Sequence, residues 1–216
     1  MMTDPADFVT GSTIIERPPL TPEIRVHLAT EITPIWQATE DHLARVGVEP
    51  PFWAFAWPGS QVLARYVLDH PETVHGRRVL DFACGNGLAG IACAIAGAAH
   101  VCANDIDSLA LVATRLNAAL NDVDIETRPG DIVGLQPDYD LLICGDVCYN
   151  QPMADLLLPW LRRCAASCDV WMADPGRPYA PRTGVAPLMT VDVPTTRELE
   201  DGTSRTTTLY RLMPNA

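Results

Sequence analysis

Residues 79–90 read VLDFACGNGLAG, an apolar run that closes on Asp81 and leads into a G-x-G-x-x-G at Gly85, Gly87 and Gly90. Glycines at that spacing let the chain turn sharply from strand to helix and bring its backbone close to a nucleotide. Three further acids stand where later strands should end. Asp105 lies in ANDID (103–107), Asp131 in PGDIV (129–133), and Asp146 in GDVCYN (145–150), with Tyr149 three residues beyond it. In open α/β sheets that edge, outside the carboxyl ends of the strands, is where ligands bind.

The glycines alone do not choose the nucleotide. In the nicotinamide pattern, apolar strand residues run straight into the first glycine, and the loop wraps a pyrophosphate at a helix N-terminus. Here a carboxylate stands in the mouth of the loop, four residues before Gly85. It would repel a pyrophosphate and attract a cation. S-adenosylmethionine is a nucleoside bearing an ammonium, a sulfonium and no phosphate, so the loop suits it better than NAD. Asp105, twenty residues past Gly85, is placed to accept from ribose hydroxyls, and Asp107 is assigned the helix cap. Asp131 can accept from an adenine amine while Ile132 packs on the ring.

The elements that must carry these residues follow from pattern. Strands are expected at 78–82, 100–104, 124–128, 139–145, 169–173, 187–193 and 205–212, and helices at 86–97, 107–120 and 152–166. Their alternation implies βαβ units and a parallel sheet with both faces covered. The last two strands are separated by turn residues and should form an antiparallel hairpin. The composition changes near residue 58. Before it stand helical candidates at 21–30 and 34–46 and the aromatic, proline-punctuated PPFWAFAWPG. Pro58 then suits the first turn of a helix. Residues 1–57 are thus expected as a helical extension covering the active site, and 58–216 as the catalytic domain.

Composition narrows the classes. With 15 Lys and Arg against 27 Asp and Glu, the formal charge is −12 over 216 residues, which disfavours nucleic acid as a partner. No run approaches the ~18 apolar residues of a membrane span, and MMTDPADFVTGS does not read as a secretory signal. The seven cysteines lack zinc-ligand spacing. Buried thiols in a reducing cytoplasm are expected, with no metal.

VLDFACGNG, ANDID, PGDI and GDVCY together resemble the class I, seven-strand methyltransferases. More narrowly, PPFWAFAWPGS, GDVCY and ADPGRPY resemble the protein-lysine methyltransferases that modify the β-subunit of electron transfer flavoprotein, over roughly residues 20–212. The resemblance implies a Rossmann-like, mostly parallel seven-strand sheet with a C-terminal antiparallel hairpin and helices on both faces. It implies that Asp81, Ala83, Gly85 and Gly87 hold the methionine end of S-adenosylmethionine, and that Asp105 and Ile106 contact ribose and adenine. Asp131 matches the adenine-amine contact, and Trp57 a tryptophan lining the cofactor pocket. Asp146 and Tyr149 match the D-x-x-Y beside the transferable methyl. The implied activity is methylation of a protein lysine by a cytoplasmic monomer. Cys148, where many relatives of the broader group carry Phe, leaves the substrate subtype open. The alternatives are a small-molecule amine methyltransferase acting on a nicotinamide-like ring, a non-catalytic S-adenosylmethionine-binding protein, and a nucleic-acid amino-methyltransferase. GDVCYN lacks the [DN]-P-P-[FY] pattern of the last. Trp53 is open between core and pocket, and Arg177 and Tyr179 between site rim and exposed turn.

Overall fold

The computed structural model describes residues 4–30, 51–196 and 202–214. Its centre is a seven-stranded sheet built from β3 (Arg78–Phe82), β4 (His100–Asp105), β5 (Glu126–Pro129), β6 (Leu141–Gly145), β7 (Asp169–Asp174), β8 (Val185–Pro194) and β9 (Ser204–Leu212), in the order β5-β4-β3-β6-β7-β9-β8. The first five of these pair parallel, and β9 runs antiparallel to both β7 and β8. The expected parallel sheet with a terminal hairpin is therefore present. The order reverses between β3 and β6, so the loops leaving these neighbours diverge and open a crevice at their carboxyl ends.

Period-two alternation explains how the sheet acquires two covered faces. Val79, Leu141, Ile143 and Trp171 point into one cluster with Val62 and Leu63 of α2 (Pro58–Asp69) and Leu88 and Ile91 of α3 (Leu88–Ile95). Leu80, Phe82, Leu142 and Met172 point the other way, against Leu157, Trp160 and Leu161 of α5 (Gln151–Cys164). Such two-faced burial makes these strands read as nearly continuous apolar runs. A fourth helix, α4 (Ser108–Leu120), begins at Asp107, whose carboxylate accepts from the Leu109 amide as the expected cap.

The N-terminal region departs from expectation. Residues 5–12 form α1 (Pro5–Ser12), with Asp4 as its cap. The helix expected at 21–30 is instead a turn followed by β2 (Val26–Leu28), which pairs antiparallel with β1 (Ile14–Glu16). Side chains of α4 decide this outcome. The Arg25 and His27 amides donate to the Asn121 and Asn117 carboxamides, at 2.9 and 2.7 Å, so the amide groups a helix would use internally are spent on tertiary contacts. Within the described part of the extension, α1 and a single 3₁₀ turn at Phe52–Ala54 are the helical segments. The helix expected at 34–46 lies outside the described residues. No helix among the described residues is long and apolar enough to cross a membrane.

Candidate active site

The glycine loop leaves β3 and reaches α3 through backbone that few side chains tolerate. Gly87 has φ 77°, and a Cβ there would meet the Thr114 side chain at 2.7 Å. This left-handed turn delays α3 to Leu88 rather than the expected 86. Ala83 also has positive φ, 53°, and its side chain is exposed at the loop's crest. Of the three described non-glycine residues with positive φ, Ala83 and Asp146 are two. A left-handed L-residue costs about 1–2 kcal/mol, and strain of this kind gathers at functional sites.

Asp81 is not in the mouth of the loop, as its place in the sequence suggested, but beneath it. Only 3% of its surface is exposed, and Oδ2 accepts from the Gly90 amide at 2.9 Å. The strand direction explains the difference: Asp81 faces the layer of α3 and becomes covered once that helix folds back. Burial, opposed by the Gly90 hydrogen bond and aided by repulsion from Asp105, pushes its carboxyl up to about 8. Asp105 sits at the end of β4 and braces the same loop. Its Oδ2 accepts from the Gly85 amide and its Oδ1 from the Asp107 amide, both at 3.0 Å, while burial raises its pKa. Ile106, next in the chain, is 68% exposed and presents an apolar surface at this edge.

The adenine candidates separate. Asp131 is exposed and accepts from the Val133 amide at 2.8 Å, capping its own turn. Ile132 is buried in the α5-side core. Asn104 ties this turn to β4, donating to the Arg128 and Gly130 carbonyls at 2.8 and 2.9 Å.

Asp146 follows β6 with φ 58°. Its Oδ2 accepts from the Gly59 amide at 2.7 Å, in the first turn of α2, where the helix dipole favours an anion. A Cβ on Gly59 would lie 2.5 Å from Asp146 Oδ2 and 2.8 Å from the Ala173 carbonyl, so glycine is required for this approach. The other oxygen, Oδ1, lies 3.4 Å from an Arg177 guanidinium nitrogen. Tyr149 is 42% exposed, with its ring 5.6 Å from that of Phe52. Phe52 in turn meets Trp57, whose indole donates to the Phe52 carbonyl at 2.8 Å. Burial holds the neighbouring Cys148 thiol up at about 12, which leaves it a small packing group rather than a nucleophile.

Segment 52–57 joins the two halves of the site. At one end the Phe55 carbonyl accepts from Asn86, set between Gly85 and Gly87, at 3.0 Å. At the other, Phe52 and Trp57 stand beside Tyr149 and the Asp146-bound start of α2. Trp53 is core, 1% exposed and packed with Val9, Ala110 and Ala113. Asn86, Asn104 and Asn117 escaped sequence reasoning, because each has a side-chain partner 24 to 90 residues away. A polar residue between two glycines was the available signal for Asn86.

This donor set fits S-adenosylmethionine. Carboxylates at the ends of β3 and β4 and after β5 suit a ligand with cationic groups and ribose hydroxyls, and the φ-restricted glycine loop leaves room at its crest. The strand order, the reversal between β3 and β6 and the acids along that edge are those of a class I methyltransferase. A family model for ribosomal protein L11 methyltransferase (PrmA) matches residues 61–147. Among solved structures, the fold is similar to a Pyrococcus abyssi tRNA (uracil-54, C5)-methyltransferase in complex with S-adenosyl-L-homocysteine. The TM-score is 0.56, over 93% of this chain and 44% of that one at 16% identity, a likeness of fold alone. Sequence relatives are far nearer. The electron transfer flavoprotein beta subunit lysine methyltransferase of Xenopus laevis is 41% identical over 179 residues, 81% of this chain and 72% of that protein. Its counterpart in Danio rerio is 38% identical over 81% of this chain and 68% of its own length. The chain belongs to the electron transfer flavoprotein β-subunit lysine methyltransferase family.

Proposed function

We propose that this chain transfers methyl groups from S-adenosylmethionine to a lysine side chain of the electron transfer flavoprotein β-subunit. One observation carries the reading: segment 52–57 links the glycine loop to the strained Asp146, so an aromatic wall runs between the cofactor cradle and a carboxylate able to aim an amine. Asp81, Ala83, Gly85 and Gly87 hold the methionine end, Asp81 supplying negative potential from below. A cation brought close favours its ionised form. Asp105 and Ile106 take the ribose and adenine, Asp131 the adenine amine with Ile132 packed behind it, and Trp57 lines the pocket.

Bound there, S-adenosylmethionine would supply an electrophilic methyl carbon on a sulfonium leaving group, and the amine that takes the methyl would give up its surplus proton to water. The protein's work is therefore alignment. Free lysine has a pKa near 10.4, so about one in 2,500 is neutral at pH 7. Tyr149, Phe52 and Trp57 strip water from the incoming side chain, and desolvation favours the neutral amine. Asp146 holds the amine's remaining protons and directs its lone pair. A monomer in the cytoplasm, acting on protein rather than nucleic acid, is the setting we propose, in keeping with the acidic charge.

The test is incubation of the enzyme with radiolabelled S-adenosylmethionine and an extract from cells lacking the gene. A labelled band that proves to be the flavoprotein β-subunit supports the proposal. Label confined to small molecules would favour a small-amine methyltransferase instead.

A further inference from the structure

A carboxylate beside a lysine creates a difficulty for methyl transfer. An anion stabilises the ammonium form, which has no lone pair and cannot attack. Asp146 on its own would bind the substrate side chain and silence it. The structure supplies a counterweight. Arg177, in the loop after β7, has its amide bonded to Asp174 Oδ1 at 2.7 Å, and its guanidinium reaches Asp146 Oδ1 at 3.4 Å. Both side chains of the pair are largely covered, at 22% and 10% exposure, so the interaction is not dispersed by solvent.

We infer that Arg177 is a positioning residue for the methylation reaction, holding Asp146 partly neutralised so that this carboxylate aims the substrate amine without locking it as an ammonium ion. The inference rests on the lysine-methylation reading above. Oδ2 accepts from the Gly59 amide, and Oδ1 is the oxygen the guanidinium approaches. A fixed positive charge within a few ångströms of an arriving lysine favours the neutral amine by like-charge repulsion, a recognised way of activating a lysine nucleophile. Arginine suits this task because it keeps its charge at every working pH.

Among the contacts of the described residues, Arg177 supplies the positive charge beside Asp146. Asp174, at the end of β7, accepts from the Arg177 amide and acts electrostatically on the Cys148 thiol of the β6–α5 loop. The first turn of α2 carries no acid, and Thr208 of β9, which pairs with Asp174, is uncharged. Removing Arg177 would take away the guanidinium that approaches Asp146 Oδ1.

The experiment measures the pH dependence of single-turnover methylation, at saturating S-adenosylmethionine, for wild type, Arg177→Gln and Arg177→Lys. The substrate is a lysine-bearing protein that the wild type methylates. For Arg177→Gln the expected result is a rate profile moved alkaline by about one unit. Its rate would be down roughly tenfold at pH 7 and would recover by pH 9.5, with KM unchanged or lower. Arg177→Lys keeps the charge and should retain the wild-type profile. A profile lowered equally at all pH values, with KM raised, would overturn the inference and leave Arg177 a structural brace. If Arg177→Gln does not fold, a shifted profile in Arg177→Lys, despite its retained charge, overturns it equally. Failure of the underlying reading shows separately, as absence of lysine methylation by the wild type.

Discussion

At Asp146 one carboxylate oxygen holds the first turn of α2 while the other faces Arg177, so removing the side chain has two separable effects. Asp146→Ala should lower the single-turnover rate on the order of 10²-fold, the scale of misplaced reacting groups. It should also cost about 1–2 kcal/mol of stability in urea titration, as for a lost helix cap. Asp146→Asn keeps an acceptor for Gly59 and should recover most of the stability but not the rate. A wild-type rate in Asp146→Ala would remove its role in aiming the amine. Asp81 makes a pH-dependent prediction. Its folded carboxyl, near 8, lies above the unfolded value near 3.9. The folded state therefore keeps a proton that the unfolded chain releases, and this stabilisation is full at acid pH and lost as pH rises towards 8. Melting temperatures between pH 5 and 8.5 should fall more steeply for wild type than for Asp81→Asn; parallel slopes would contradict the buried, protonated state. Asp81, Asp105 and Asp146 were legible because each stands at the end of an apolar strand, whereas Asp131 follows the polar β5 and was read from its PGD turn. The pairing of Arg177 with Asp146 was not legible, because the two lie 31 residues apart across a loop whose path no local pattern dictates.

The alternating part of the chain was legible for a related reason: strands buried on both faces read as apolar runs, and β3, β4 and β6 are each followed by a helical stretch with punctuated ends. The N-terminal region defeats such reading. Ile24 and Val26 alternate in burial around Arg25, as a strand would, but what selects the strand is β1 together with Asn117 on α4 and Asn121 just past its end, 90 and 96 residues on. Asn117 is the hinge of this arrangement. It accepts from the His27 amide at 2.7 Å and donates to the Asn86 carbonyl at 2.9 Å, joining β2 to the glycine loop through α4. Asn117→Ala would leave both backbone groups buried without these partners. The expected loss is about 2–4 kcal/mol, from two unsatisfied groups, together with weaker binding of S-adenosylhomocysteine by calorimetry. A stable variant with unchanged affinity would mean that the N-terminal strands do not support the loop.

Across the whole molecule, the sheet gathers its acids along one edge, at the reversal of strand order, and segment 52–57 bridges the two sides of that crevice. Formal charge of −12 gives the surface an acidic field suited to a target whose lysine stands among basic residues. Neither charge nor fold names that target, because a fold hosts many chemistries and the substrate is chosen at the rim. The assembly of the rim was the least legible part of the sequence: Phe52 and Trp57 share segment 52–57, but Tyr149 comes from the β6–α5 loop almost a hundred residues on and meets Phe52 only after folding. The decisive measurement is the intact mass of purified electron transfer flavoprotein β-subunit after incubation with the enzyme and S-adenosylmethionine, followed by peptide mapping. The expected result is a mass increase in whole methyl increments, all mapping to lysine side chains and absent with Asp146→Ala. An unmodified β-subunit, in a preparation that binds S-adenosylmethionine and is fully folded, would contradict the proposed substrate.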